Sequence, residues 1–223
     1  MGSIDESGSV MGELERVGAI YTERHFVYKS GMHGSGYINM DPIYTRPSIM
    51  TGIGRGLLMP FDEAMFDTIA APAVGGVALV TYVGVEALIR YGDRGSIVWA
   101  DKQGDTFKFE RAGFVERIRG KRVLVVEDLL TTGGSVAKVC RDVENHDGFV
   151  VGVSAIVNRG GVTAEQLGVP HLAALAEVNF EAVDVQDCEL CAKHVPIVRD
   201  VGHGLAFEND NPRYKGGYET LLS

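Results

Sequence analysis

Arg122-Val-Leu-Val-Val-Glu-Asp-Leu-Leu-Thr-Thr-Gly-Gly-Ser-Val136 is the stretch on which the reading of this chain turns. Its first part, Arg122–Val126, is strongly apolar and β-branched, the pattern of a strand covered on both faces and so of a parallel sheet. That strand runs straight into two adjacent carboxylates, Glu127 and Asp128, then into the small-residue loop Thr131–Ser135, and then into a helix expected over Ser135–Asn145. In open parallel sheets, ligands sit at the carboxyl ends of strands. The loop sets backbone N–H groups and the hydroxyls of Thr131, Thr132 and Ser135 at a helix N-terminus, where directed donors and the helix dipole together hold a phosphate. Gly133 and Gly134 let the backbone approach such a ligand closely. Ionised carboxylates accept hydrogen bonds from the two hydroxyls of a cis-diol. One segment can therefore grip a sugar phosphate by its diol and its phosphate. A plain strand–turn–helix with a hydroxyl cap is the simpler reading, but it leaves two acids at the end of an apolar strand unexplained.

Working outward, the same alternation continues on both sides. Strands are expected at Thr68–Ala71, Ser96–Ala100, Phe149–Val157 and His171–Leu175, and helices at Pro47–Phe61, Gly76–Tyr91 and Thr163–Leu167. Apolar strands alternating with helices predict an α/β fold, a mainly parallel sheet flanked by helices. Ahead of it, Gly12–Tyr21 reads as a short helix, and Phe26–Tyr28 and Tyr37–Ile43 as extended segments split by the turn-rich Ser30–Gly36. The expected organisation is a flexible tail over 1–11, an N-terminal helix and hood over 12–46, an α/β core over 47–177 and a C-terminal appendage over 178–223. The last stretch, Glu208–Ser223, is polar and reads as loose. Asp101–Gly113 is polar and charged, a long loop or flexible hairpin of the kind that becomes a lid.

The 223 residues are 45% hydrophobic and 23% charged, an ordinary globular composition. The net charge of −9 argues against nucleic-acid and anionic-membrane partners, and no apolar run is long enough to span a bilayer. Met1–Ser9 lacks the basic and apolar regions of a signal peptide. Three cysteines, Cys140, Cys188 and Cys191, are too few for a disulfide framework and fit a reducing cytoplasm.

The segment Glu127–Ser135 resembles the 5-phosphoribosyl-1-pyrophosphate (PRPP) motif of the type I phosphoribosyltransferases. The resemblance implies that fold, with Glu127 and Asp128 at the ribose hydroxyls and Thr131, Thr132, Gly133, Gly134 and Ser135 around the 5-phosphate. Ala71-Pro-Ala-Val-Gly-Gly-Val-Ala78 resembles the family's pyrophosphate loop, implying Val74, Gly75 and Gly76 as further PRPP contacts; tight strand–helix packing is the simpler account of its small residues. Phe26-Val-Tyr-Lys-Ser-Gly31 and Ser35-Gly-Tyr-Ile-Asn39 resemble the hood of orotate phosphoribosyltransferases, with Lys29 reaching the ligand and Tyr37 and Ile38 covering the base. Asn158-Arg159-Gly160-Gly161 ends a strand, where Arg159 can fork onto a carboxylate. Orotate differs from uracil by one carboxylate, and in the family a matching Arg meets it together with the first Thr of the phosphate loop, here Thr131.

Two departures accompany the likeness. Gly75 stands where many orotate enzymes carry a Lys, and the Lys-Asp-His-Gly run of their lid is absent from Trp99–Gly113, leaving Lys102, with Lys108 and Arg111, as the lid's cations. The implied reaction is transfer of the phosphoribosyl group to orotate, with release of pyrophosphate, Mg²⁺ carried by the substrate, Lys29, Lys102 and Asp128 acting at the reacting centre, and a homodimer as the assembly. A phosphoribosyltransferase for another base, or a non-catalytic PRPP-binding regulator, are the competing readings. Finally, Cys188-Glu-Leu-Cys191 has a zinc-binding spacing, which His194 and His203 would complete to four ligands; reduced thiols in a turn are the plainer reading.

Overall fold

The computed structural model describes residues 10–62, 65–93 and 95–221. The tail expected over 1–11 lies outside the described residues as far as Ser9, and Val10 already begins a helix, Val10–Arg16. The chain divides into two compact units, one centred on residues 43–178 and one formed by 11–42 with 179–223.

The larger unit is built on a six-stranded sheet in the order Leu172–Glu177, Phe149–Asn158, Arg122–Leu130, Thr68–Pro72, Ser96–Gln103, Thr106–Lys108. All pairings are parallel except the last, which is an antiparallel hairpin. The apolar run Val123–Val126 is fully buried, as its two-sided pattern requires. On one face, the Gly134–Asn145 helix buries Val136, Val139, Cys140 and Val143 against Val123, Val125, Val153 and Ala155. The Pro47–Leu58 and Gly75–Tyr91 helices pack together. Their approach needs a small residue: a Cβ on Gly54 would lie 2.9 Å from the Tyr82 carbonyl oxygen. Pro47 opens its helix at a position where the missing N–H has no helical partner to lose.

The central strand is longer than its apolar run. It continues through Glu127 and Asp128 to Leu130, paired with the Phe149–Asn158 strand as far as Leu130 opposite Asn158. Its pairing with Thr68–Pro72 stops at Val125. The two acids therefore lie inside a strand that has lost one neighbour, where the sheet splays.

The smaller unit has short paired segments: Ile20–Tyr21 with Tyr37–Ile38, Phe26–Val27 with His33–Gly34, and Ile197–Val198 with Tyr218–Glu219. Phe26, Tyr28 and Val198 form one buried apolar cluster of it, with Tyr21, Tyr37 and Leu221 packed around them. The extended segment expected over Tyr37–Ile43 ends early, because the Asn39 side chain accepts the Asp41 N–H at 3.1 Å and starts the short Asp41–Tyr44 helix. As far as Leu221, the C-terminal stretch is held in place rather than loose. Gly204–Asp210 is helical, Arg24 pairs with Glu219 at 3.1 Å, and the Leu221 N–H is bound by Asp200 at 3.0 Å. Among the described residues, no helix is long and apolar enough to cross a membrane.

Candidate active site

Two loops of the larger unit meet at the splayed edge. The first follows the central strand. Gly133 has φ +72° and a Cβ there would strike Leu167 at 2.7 Å, so only glycine fits. Thr131, Thr132, Gly134 and Ser135 are exposed; the N-cap Gly133 offers no side-chain oxygen, and the Gly134 N–H donates to the Thr132 hydroxyl at 3.4 Å, at a helix N-terminus of the kind that binds phosphate. Glu127, Leu129, Leu130 and Thr131–Val136 line an open hollow of about 130 Å³. The second loop lies between the Thr68–Pro72 strand and the Gly75–Tyr91 helix. Its Ala73 N–H is held by the Ala100 carbonyl at 2.8 Å, the Ala73–Val74 peptide is cis, and Val74 and Gly75 are exposed. A Cβ on Gly75 would lie 3.4 Å from Asp128 Oδ2 and 3.3 Å from the Tyr44 hydroxyl. The acid pair and both loops thus share one corner of the molecule.

Within that corner the two carboxylates differ. Asp128 is half-buried, and the Tyr44 hydroxyl donates to its Oδ2 at 2.6 Å. Glu127 is buried, and its Oε1 accepts the Asp128 N–H at 3.1 Å. Burial, and then the neighbouring Asp128, hold the Glu127 carboxyl well above the usual range. A carboxyl raised in this way contributes stability that is complete at acid pH and is lost as pH rises through the raised value. The ligand-free Glu127→Gln variant is therefore expected to gain stability on the wild type as pH rises from the ordinary glutamate range through neutrality. Urea denaturation across that range measures the difference, and a difference flat with pH would contradict a raised Glu127.

The strand that ends in Asn158 brings a third component. The Arg159 and Gly160 N–H groups both donate to the Leu130 carbonyl, at 2.8 and 3.2 Å. A Cβ on Gly160 would fall 1.6 Å from the Thr131 carbonyl oxygen. Arg159 and Thr131 are thus adjacent through their backbones. Asn158 is structural: it is buried and spans Val162 and Glu177.

The expected lid is a hairpin, Ser96–Gln103 with Thr106–Lys108, extending the sheet edge. Lys102 is exposed on it, opposite Phe107. Lys108 is committed elsewhere, to the buried Asp142 at 2.6 Å, and Asp142 also accepts the Phe109 N–H at 3.0 Å. Arg111 pairs with Asp101 at 3.0 Å and lies over the Trp99 ring. Lys102 is the hairpin cation left outside these pairings.

In the smaller unit, Lys29 is exposed on a turn whose Gly31 N–H bonds the Tyr28 carbonyl at 2.9 Å. Tyr37 stacks on Phe26 at 5.5 Å, and Ile38 is buried. The zinc ligand set read from the sequence needs correction. Cys188 and Cys191 meet His25 and His33, whereas His194 and His203 are exposed and take no part in that cluster. Sequence proximity to the cysteines pointed to His194 and His203; the histidines that meet them lie on the paired Phe26–Val27 and His33–Gly34 segments or directly beside them. Burial, and then His25, push His33 down to about 4, and burial, and then Cys188, push the Cys191 thiol up to about 11. Tyr44 was also missed: nothing in its spacing points to a carboxylate 84 residues away.

Residues 61–170 match the phosphoribosyl transferase domain family. The orotate phosphoribosyltransferase of Thermotoga maritima is 33% identical over 86% of this chain and 97% of its own length. That of Thermus thermophilus is 37% identical over 84% and 97%. Among solved structures, the fold is shared with orotate phosphoribosyltransferase from Francisella tularensis, with a TM-score of 0.59 at 15% identity over 75% of this chain and 84% of that one. It is shared too with the Mycobacterium tuberculosis enzyme in complex with PRPP, with a TM-score of 0.55 at 20% identity over 76% and 94%.

Proposed function

Because this chain belongs to the orotate phosphoribosyltransferase family, we propose that it transfers the phosphoribosyl group of PRPP to orotate, giving orotidine 5′-phosphate and pyrophosphate. The observation that carries the reading is the shared corner in which an acid pair, a helix N-terminus and the Gly75 loop converge around Asp128.

In this scheme the Thr131–Ser135 loop holds the 5-phosphate through backbone N–H groups and hydroxyls. Asp128 and Glu127 accept the ribose hydroxyls. Val74, Gly75 and Gly76 offer N–H groups to the pyrophosphate. As the bond from C1 to pyrophosphate breaks, positive charge grows on the sugar and negative charge on the leaving group, so catalysis rests on positioning and electrostatic stabilisation. Lys102 supplies a cation from the hairpin. Lys29, Tyr37 and Ile38 are assigned to the ligand on the family pattern alone. Mg²⁺ would be carried by the substrate phosphates, since it needs few protein ligands beside them, and would supply positive charge at the leaving pyrophosphate. Orotate reacts as a nitrogen anion and requires no protein base. A homodimer is proposed, supported by the exposed Val85, Leu88 and Ile89 on one helix, which offer an apolar face to cover. A reducing, cytoplasmic location is supported by the three free cysteines.

The test is turnover. Purified protein with PRPP and Mg²⁺ is expected to consume orotate, followed by its absorbance, and to leave uracil, adenine and hypoxanthine untouched. Turnover of another base would reassign the base site, and PRPP binding without turnover would favour a regulator. Arg159→Ala is expected to lower kcat/KM for orotate by about tenfold or more, the worth of a charged hydrogen bond to its carboxylate. An unchanged value would place carboxylate recognition elsewhere.

A further inference from the structure

We propose that His25, His33, Cys188 and Cys191 form a structural zinc site that ties the N-terminal hood to the C-terminal segment within the smaller unit. The four donor atoms lie within 4.8 Å of one another. His25 Nε2 is 2.9 Å from His33 Nδ1, 3.5 Å from Cys188 Sγ and 3.7 Å from Cys191 Sγ, and Cys191 Sγ is 3.4 Å from His33 Nδ1. A tetrahedral zinc with its usual bond lengths sets nitrogen–nitrogen, nitrogen–sulfur and sulfur–sulfur edges of about 3.3, 3.6 and 3.8 Å. The four separations given lie within about 0.4 Å of those edges, and the other two, from Cys188 Sγ to Cys191 Sγ and to His33 Nδ1, are no longer than 4.8 Å.

Hydrogen bonding alone accounts poorly for the arrangement. The Val195 carbonyl accepts from His25 Nδ1 at 3.0 Å, which puts the ring proton there and leaves Nε2 as a bare lone pair facing inward. That single lone pair has three potential donors converging on it, from His33 and both cysteines. One cation at the centre satisfies all four atoms together. The Val195 carbonyl is then the outer partner that orients a metal-bound imidazole. Two thiolates and two imidazoles suit zinc, and four protein ligands leave no open position, which makes the site structural rather than catalytic.

The surroundings are built to hold it. His25 and His33 are fully buried, and the Phe207 and Tyr214 rings pack against them, with centroids 5.1 Å and 6.1 Å away. Backbone bridges join His25 to Ile197 and His33 to Val183. Among the described residues, the sheets of the smaller unit are short two-stranded pairings, and a unit with so little sheet gains from a metal staple. The turn carrying Lys29 lies between the two histidines in sequence.

The test is metal content, which is read without turnover and so stands whichever base is transferred. The full chain, expressed with added Zn²⁺ and purified in reducing buffer without chelator, is expected to retain about one zinc per chain by elemental analysis. Cys188→Ser, Cys191→Ser and His25→Ala are expected to lose it, and His194→Ala and His203→Ala to keep it. Apoprotein made with a chelator, then titrated with Co²⁺, is expected to develop a thiolate-to-cobalt absorption band and intense tetrahedral bands. Removing zinc is expected to lower Tm by about 5 °C or more, reversed by Zn²⁺. Zinc-free wild type from zinc-supplemented medium overturns the proposal, as does a cobalt titration without a thiolate band. Loss of zinc in His194→Ala equal to that in Cys188→Ser would overturn this ligand set. The cobalt titration uses wild-type protein, so it decides the matter even where a cysteine variant fails to fold.

Discussion

Replacing Asp128 with asparagine is expected to weaken PRPP binding about a hundredfold while leaving the fold intact. The side chain is half-buried at the splayed edge, and one of its oxygens already accepts the Tyr44 hydroxyl at 2.6 Å. Its remaining lone pairs are what a sugar diol would use. Asparagine keeps one acceptor oxygen, which Tyr44 can still reach, and turns an amide donor toward hydroxyls that need an acceptor. A hydrogen bond to a charged group contributes about 1.5–3 kcal/mol, and each 1.4 kcal/mol is a factor of ten in affinity. Losing the charge and the matched geometry together gives the expected hundredfold. Calorimetry with PRPP and Mg²⁺ reads the affinity, and thermal unfolding reads the fold. Unaltered affinity would remove Asp128 from the diol, and a large fall in Tm would mean that its role is structural.

Gly160→Ala is expected to be the most damaging small substitution on the larger unit. The added carbon would sit 1.6 Å from the Thr131 carbonyl oxygen, a backbone atom that cannot rotate away. Either the Asn158–Gly161 turn or the Thr131–Ser135 loop must move. Overpacking of this kind typically costs 1–3 kcal/mol and sometimes more; here the obstacle is backbone, and about 3 kcal/mol or more is expected, with a fall in Tm of roughly 10 °C. PRPP binding should weaken as well, because Thr131 begins the loop that would hold the phosphate. Gly161→Ala is the control. Gly161 has φ +60° and open space around it, so its cost is the left-handed backbone alone, about 1 kcal/mol. Urea unfolding of the two variants separates collision from conformational strain, and equal losses would contradict the close approach.

Much of this was legible in local pattern and some of it was not. The apolar run Val123–Val126 and the loop Thr131–Ser135 read correctly because both depend on neighbouring residues: burial on two faces, and a helix start. The extension of the strand through Glu127 to Leu130 was not readable, since it depends on which partner continues beside it after Val125. The fate of Lys108 depends on Asp142, which is 34 residues away. Order at the C-terminus comes from Arg24 holding Glu219 and from Ile197 pairing with Tyr218, both set by the folded chain. The histidines show the same limit: His194 is near Cys191 in sequence, and His25 is near it in space.

The hairpin that extends the sheet edge bears on how binding energy would be used. Asp142 grips it at Lys108 and at the Phe109 N–H, its strands are paired, and Arg111 clasps Asp101 and Trp99. Covers of active sites are usually drawn from the least stable parts of a fold and become ordered when substrate arrives. Here the ordering is done during folding. On the proposed reading, the affinity available from phosphate and diol contacts would then not be offset by freezing a dozen loose residues, and an exchange of one ligand for another would not wait on a segment refolding. On the proposed reading, in which this hairpin closes over the bound substrate, the penalty would fall on adaptability: a cover fixed to the sheet would discriminate by the shape it already has, favouring one substrate over a range of them.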